Sequence, residues 1–288
     1  MSVYKISHRT EYVYGSPVIQ SNHLLHLSPR VVASQRILSH ELVIDPELTT
    51  RHDRVDYFGN PTTLISLEHE HTELSVHSLS KIEVQEAAQP DFLATTPWQD
   101  FPPGRQALPA EVIQFVCPSR YAKASSLLFE FARPSFPNGM PMLEGARLLT
   151  QRIFEEFRFD NTATDVSTPV EQVLEQRSGV CQDFAHLQIA ALRSVGLPAR
   201  YVSGYILTHP PEGEEKLEGT DASHAWISVW APETGWVDFD PTNNLVNSQE
   251  HIAIAYGRDF EDVSPISGVL LGGGNHTVSV AVDVRPQD

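Results

Sequence analysis

The strongest constraint on the fold is a helical pattern that begins at a cysteine and ends at a glycine and a proline. Residues 178–200 read SGVCQDFAHLQIAALRSVGLPAR, with apolar side chains at helical spacing along the segment. Gly196 and Pro198 are typical of the end of a helix. The pattern therefore predicts a helix whose first residue lies close to Cys181.

This position favours chemistry at the Cys181 thiol. The first turn of a helix carries the positive end of the dipole and N–H groups without partners in the helix. Both favour a thiolate, and the same N–H groups can receive the oxygen of a tetrahedral intermediate. A structural cysteine buried in the helix is the alternative. Gly179 before the thiol and the polar Gln182 and Asp183 after it favour an accessible nucleophile.

A candidate base follows on the next strands. After a strand at residues 201–206, the segment 223–230 (SHAWISVW) alternates as a strand with His224 at its head. A turn at residues 232–235 leads into a second strand, so the two strands should be antiparallel neighbours. Between the strand at 201–206 and the histidine strand, residues 209–220 contain four glutamates. We expect this acidic loop to border the substrate cleft and to favour cationic substrates.

A carboxylate on the second strand can orient the histidine. A catalytic histidine needs an acceptor on its second ring nitrogen to fix its tautomer. Asp240 and Asp238 lie on one face of the strand, and either could reach His224 across the hairpin. The spacing alone leaves both open.

The N-terminal part predicts a separate all-β unit. Residues 2 to about 85 alternate as strands, and the turn at Phe58-Gly59-Asn60-Pro61 separates two of them in a hairpin or tight connection. A proline-rich stretch without periodicity follows, and then helical spacing at residues 108–115, 125–132 and 143–157. We therefore predict an α+β chain with an N-terminal domain at residues 1–86, a linker at 87–107 and a core at 108–288.

Histidines in the N-terminal part raise a metal hypothesis. His69, Glu70, His71 and His77 include alternate strand positions that share a face, as metal ligands would. No cysteine or further aspartate is clustered with them, so a solvated outer strand face is the favoured interpretation. The sequence predicts no metal site and no cofactor.

Composition limits the classes of partner that the protein is expected to bind. The chain has 37 acidic and 20 basic residues, giving a formal charge of -17, which disfavours nucleic acid and anionic membranes. The N-terminal segment lacks a secretory pattern, and no run of about 18 apolar residues occurs. Only Cys117 and Cys181 are present, so a disulfide framework is not expected and a cytoplasmic location is predicted.

Three segments in order closely resemble the transglutaminase-like superfamily of papain-type cysteine enzymes. They are GVCQDFAHLQIAALRSVGLPARYVSGY, DASHAWISVW and GWVDFDPTNN. The resemblance implies a nucleophile at Cys181, a base at His224, and an orienting acid at Asp240, which precedes Pro-Thr. The N-terminal segments YKISHRTEYVYGSPVIQSNHLLHLSPR and YFGNP resemble the β-rich domain of bacterial members.

The resemblance implies a sandwich-like β domain followed by a papain/transglutaminase-like core, in which the cysteine helix packs on an antiparallel sheet. It also implies acyl transfer on amide or peptide bonds through a thioester, with a peptide or protein substrate. Hydrolysis by a cysteine protease or amidase is favoured. Amine-dependent transglutamination and a non-catalytic peptide-binding module are the alternatives.

One departure from the family pattern bears on that choice. Animal transglutaminases place a tryptophan upstream of the cysteine to stabilise the oxyanion. The four tryptophans here are Trp98, Trp226, Trp230 and Trp236, and none lies in the matching stretch. The second oxyanion donor is therefore not identified, which disfavours protein cross-linking.

Overall fold

The computed structural model describes residues 1–101, 108–208 and 223–287, so the predicted acidic loop at 209–220 lies outside the described residues. The α-helices are α1 (Ala110–Ile113), α2 (Ser126–Ala132), α3 (Met142–Glu156), α4 (Val170–Gln176) and α5 (Cys181–Ser194). Short 3₁₀ turns occupy Phe92–Ala94, Gln114–Val116, Arg133–Ser135 and Phe260–Val263. The strands are β1 (Ser2–Leu25), β2 (Gln35–Asp45), β3 (Thr50–Val55), β4 (Pro61–Leu67), β5 (His71–Val84), β6 (Arg158–Phe159), β7 (Ser178–Gly179), β8 (Ala199–Ile206), β9 (Ser223–Ala231), β10 (Gly235–Asp240), β11 (Leu245–Val246), β12 (His251–Gly257), β13 (Ile266–Gly272) and β14 (His276–Gln287).

The N-terminal sheet is organised around the long strand β1. Its first half pairs with β5 and β14, and its second half pairs with β4 and β13, all antiparallel. The predicted turn before Pro61 connects β3 and β4, which pair as an antiparallel hairpin.

The C-terminal strands belong to this N-terminal sheet, which differs from the predicted domain division. Residues 108–288 were expected to form one core, yet β13 and β14 hydrogen-bond to β1 rather than to the second sheet. Alternation along a strand reports only which of its faces is buried. The partner strand is set by tertiary pairing, and the sequence pattern carries no trace of it.

The second sheet, here called the core sheet, carries the predicted cysteine and histidine segments. It has the strand order β11-β10-β9-β8-β12 with antiparallel pairs throughout. Helix α5 begins at Cys181, as predicted, and packs on β8 and β9. Leu187 and Ala191 of this helix share a buried cluster with Ile227 and Val229 of β9.

The two sheets are joined along β12, the edge strand of the core sheet. Two amide side chains of the N-terminal part hydrogen-bond to its backbone at both donor and acceptor positions. Gln35 pairs with the N–H and C=O of Ala253 at 3.0 and 2.9 Å, and Asn60 pairs with those of Tyr256 at 2.8 Å each. Buried backbone groups need such partners, so these amides replace the missing neighbouring strand.

The histidine-rich segment of the N-terminal sheet is only partly solvated. His69 and Glu70 are exposed, as expected for an outer strand face, but that expectation is wrong for His71, which is buried. The Nδ1 atom of His71 lies 2.9 Å from the His69 carbonyl, and its Nε2 lies 3.4 Å from the Ser21 hydroxyl. None of the helices in the described ranges is both long and apolar enough to cross a bilayer.

Candidate active site

Cys181 is the first residue of α5, and a carboxylate fixes this helix end. Asp183 accepts a hydrogen bond from the backbone N–H of Val180 at 2.8 Å and another from the hydroxyl of Thr164 at 2.6 Å. A Cβ at Gly179 would lie 2.7 Å from the Asp183 carboxylate, so only glycine fits before the helix. Cys181 itself is half-buried, as an accessible thiol requires.

His224 and Asp240 meet across the hairpin formed by β9 and β10. The register runs through Phe239 opposite Ile227. Continuing it places Asp240 across from Trp226, two residues along from His224 on the same face. The Nε2 atom of His224 lies 2.8 Å from Oδ2 of Asp240. This side of the ring is therefore occupied, and Nδ1 is the nitrogen left for the Cys181 thiol, which lies close enough to raise the pKa of the ring.

The protonation of His224 follows from these two partners. Burial alone would lower its pKa, but hydrogen bonds to Asp240 and Cys181, together with their charges, raise the pKa of His224 to about 10. The imidazolium form is thus favoured at neutral pH. Such a ring can hold a thiolate as an ion pair and can later donate its proton.

Asp240 is held by five hydrogen bonds. Oδ1 accepts from the backbone N–H groups of Thr242 and Asn243 at 2.8 and 3.3 Å. Oδ2 accepts from His224, from the Asn243 side chain at 2.8 Å, and from His251 at 2.9 Å. Burial would raise the pKa of this carboxyl, but the hydrogen bonds from the two histidines outweigh it and hold the pKa of Asp240 well below its usual range.

His251 is the residue of this site that the sequence reasoning missed. It starts β12, and its ring centroid lies 5.7 Å from that of His224 and 4.6 Å from that of Trp226. Strand β12 reaches the site because it pairs with β8, and β8 in turn pairs with β9, the strand that carries His224. A weak signal was present, since HIAIAYG places a histidine at the head of a strand as SHAWISVW does.

Asp238, the rival acid in the sequence, has different partners. Its Oδ2 accepts a hydrogen bond from the indole Nε1 of Trp226 at 3.1 Å, and its Oδ1 accepts one from the hydroxyl of Ser228. The structure therefore brings Asp240, and not Asp238, to His224.

His224, Asp240 and His251 also form the one group of three potential metal ligands in the described part of the chain, with ligand atoms within 4.8 Å of one another. Their hydrogen bonds indicate a different use. An ionised carboxylate only accepts, so both imidazole Nε2 atoms must donate protons to Asp240. A metal ion would have to displace both of these protons. The arrangement therefore fits a hydrogen-bonded network of two histidines and an aspartate better than a metal centre.

Comparison with known proteins places the chain in a family. A profile of the transglutaminase-like superfamily matches residues 130–241, and one of the bacterial transglutaminase-like N-terminal region matches residues 4–83. The chain belongs to the transglutaminase-like superfamily. The first profile contains Cys181, His224 and Asp240.

Individual relatives support the same assignment. An uncharacterized protein of Mycobacterium tuberculosis is 37% identical over 294 residues, spanning 98% of this chain and 92% of the relative. A Pseudomonas aeruginosa protein-glutamine gamma-glutamyltransferase is 39% identical over 71 residues, which are 24% of this chain and 11% of that protein. A solved structure from Cytophaga hutchinsonii, provisionally assigned as a cysteine protease, is similar with a TM-score of 0.78 and 25% identity, covering 100% of this chain and 91% of the other.

Proposed function

We propose that the protein catalyses cysteine-dependent acyl transfer on amide or peptide bonds through a thioester, and that its main reaction is hydrolysis. The observation that carries the proposal is the contact of a half-buried thiol at a helix N-terminus with a buried, acid-paired imidazole. Similarity to the provisionally assigned cysteine protease of Cytophaga hutchinsonii supports the hydrolytic choice.

The geometry suggests how each group acts. The Sγ atom of Cys181 attacks the carbonyl carbon, and the oxyanion is received by N–H groups of the first turn of α5. His224 gives its proton to the departing amine, the C–N bond breaks, and a thioester remains. His224 then takes a proton from water, whose oxygen attacks the thioester; the C–S bond breaks, and a carboxylic acid and the Cys181 thiolate are released beside the imidazolium.

His251 acts on this sequence through Asp240. His251 donates a hydrogen bond to Oδ2 of Asp240, the same oxygen that accepts one from His224, and thereby limits the rotation of the carboxylate. Asp240 in turn fixes the plane and the tautomer of His224. We assign His251 as a positioning residue rather than a group that touches substrate.

Transglutamination is the second candidate, because a primary amine can replace water at the thioester. The Pseudomonas aeruginosa transferase, 39% identical over 71 residues, favours it. The Cys181–His224 pair serves either reaction equally, so the choice depends on which acceptor reaches the thioester.

A peptide library tests the proposal directly. The protein is incubated with the library in the presence and absence of a primary amine, and products are read by mass spectrometry. Cleaved peptides in both conditions, absent with Cys181→Ala, are expected for hydrolysis. Amine adducts on intact glutamine-containing peptides would instead favour transfer, and neither product from any peptide would contradict acyl transfer.

A further inference from the structure

A cavity separate from the Cys181–His224 contact lies between the core sheet and the N-terminal part of the chain. Its volume is about 570 Å³, within the range of small-molecule sites. One wall is formed by residues 32–34 and by the linker at residues 87–90. The other wall includes Arg200, Trp236, Asp238 and Tyr256 of the core sheet.

Arg200 is the unusual feature of this cavity. Its guanidinium lies between two aromatic rings, 3.6 Å from the centroid of Tyr256 and 4.1 Å from that of Trp236. Its Nε is buried without a hydrogen-bond partner. Within residues 1–101, 108–208 and 223–287, the guanidinium forms no hydrogen bond and no ion pair; the side chain as a whole is half-buried, but its buried Nε lacks the partner that buried polar groups normally have.

The stacking leaves one direction open. The two rings lie close to the guanidinium carbon, and guanidinium N–H groups donate in the plane of the group, at its edge. A carboxylate matches this edge, because its two oxygens accept two parallel hydrogen bonds from the fork. Burial lowers the pKa of Arg200 to about 10, despite the charges of Tyr256 and Asp238, so the cation persists at neutral pH.

Asp238 does not take this role, and it adds selectivity. Its carboxylate oxygens are engaged by Trp226 and Ser228, and no ion pair joins it to Arg200. It nevertheless puts a negative charge in the same wall as the cation. A ligand carrying a positive group beside its carboxylate would complement both charges.

The opposite wall is held in place by hydrogen bonds. Gln89 donates from its side chain to the carbonyl of Val246 at 2.9 Å, and Asn247 donates to that of Ala88 at 3.3 Å. The linker is therefore attached to the core sheet at β11 and directly after it, and the cavity is built into the folded chain.

We propose that this cavity binds a small carboxylate ligand through Arg200, and that Asp238 favours the zwitterion of an α-amino acid. The assignment does not rest on the proposed acyl transfer, so Cys181→Ala should bind the ligand as the wild type does.

The test uses alanine and two derivatives, each of which lacks one of its two charged groups. Alanine carries a carboxylate and an ammonium group, N-acetylalanine only the carboxylate, and alaninamide only the ammonium. Each is titrated into the full chain at constant ionic strength and followed by calorimetry and by the tryptophan fluorescence of the protein, to which Trp236 beside Arg200 contributes. Saturable binding is expected for alanine, weaker binding for N-acetylalanine, and none for alaninamide.

Variants locate the site. Arg200→Lys keeps the charge but loses the planar fork, and should weaken alanine binding by at least about tenfold. Ala33→Phe fills the cavity from the other wall and should weaken it similarly while leaving Arg200 in place. Arg133→Lys is the matched control, since Arg133 also stacks on a tryptophan, Trp98, but lies outside the cavity.

Three results would overturn the proposal. They are no saturable binding of either carboxylate, binding of alaninamide as tight as that of alanine, and alanine affinity unchanged in both Arg200→Lys and Ala33→Phe. Because the second variant retains the arginine, a folding failure of Arg200→Lys would still leave the cavity testable.

Discussion

Strand β10 carries two carboxylates on one face, and their surroundings differ completely. Asp240, at the end of the strand, receives two imidazoles and lies beside the Cys181–His224 contact. Asp238, two residues earlier, receives an indole N–H and a hydroxyl and lies in the wall of the Arg200 cavity. Identical side chains on one strand thus have different surroundings, because the residues opposite them differ.

Trp226 lies between Asp238 and the His224–Asp240 pair. Its ring stacks with that of His224 at a centroid distance of 5.9 Å, and its Nε1 donates to Asp238. It therefore fills the space that would let Asp238 turn toward the histidine. This packing separates the candidate active site from the cavity.

The largest expected effect comes from removing the thiol that we propose as the nucleophile. Cys181→Ala should reduce peptide cleavage by about 10⁴-fold or more, since no thioester can form. Its melting temperature should change by only a few degrees, because the thiol is half-buried at a helix end. Cys117→Ala is the matched control and should retain activity. Activity lost in Cys117→Ala and kept in Cys181→Ala would show that the assignment is wrong.

The second prediction compares the loss of each carboxylate of β10, Asp240 and Asp238. Asp240→Asn should lower kcat by about 10³- to 10⁴-fold, since an amide favours the wrong tautomer of His224. Asp238→Asn disturbs only the partners Trp226 and Ser228, and should cost less than about tenfold in kcat with a stability loss of about 1–3 kcal/mol. Steady-state kinetics and denaturant unfolding of both variants measure this contrast. Equal losses of kcat would remove the distinction between the two ends of β10.

A smaller effect is expected at His251. His251→Gln should lower kcat by about 10- to 100-fold with little change in KM, because it loosens Asp240 without touching substrate. The alkaline limb of the pH–rate profile should also move to lower pH as Asp240 supports the imidazolium less well. His69→Gln, an exposed histidine of the N-terminal sheet, is the control. A profile unchanged from wild type would contradict the positioning role.

The pH dependence of stability should report the His224–Asp240 pair. The folded-state pKa of His224 is about 10, above its ordinary value near 6.5, so its contribution is complete below pH ~6.5 and is lost as pH rises toward 10. The pKa of Asp240 is lowered, so its contribution is present above pH ~4 and is lost on acidification. Denaturant unfolding across this range should show both losses in the wild type. Asp240→Asn should flatten both slopes, and equal slopes in the two proteins would argue against the coupling.

The smallest expected effect is that of a chelator. Both imidazoles direct protons at Asp240, so cleavage should be unchanged by EDTA and blocked by a thiol alkylator. Loss of activity on chelation, restored by a divalent metal, would instead assign His224, Asp240 and His251 as metal ligands.

Local features of the candidate site could be predicted from the sequence because they depend on neighbouring residues. The start of α5 at Cys181 follows from the glycine before it and the helical periodicity after it. The approach of His224 and Asp240 follows from two alternating strands joined by a short turn. Even so, periodicity left Asp238 and Asp240 equivalent, and only the resemblance to a family favoured Asp240.

The tertiary structure decided what distant segments contribute. His251 enters the site because β12 pairs with β8, and residues 266–287 join the N-terminal sheet because β1 offers a free edge on each half. Arg200 of β8 contacts rings of two other strands, Trp236 of β10 and Tyr256 of β12, because the core sheet brings these strands together. Hydrophobic periodicity records burial along a single element, whereas these features depend on which elements meet, and that choice is made by packing across the whole chain.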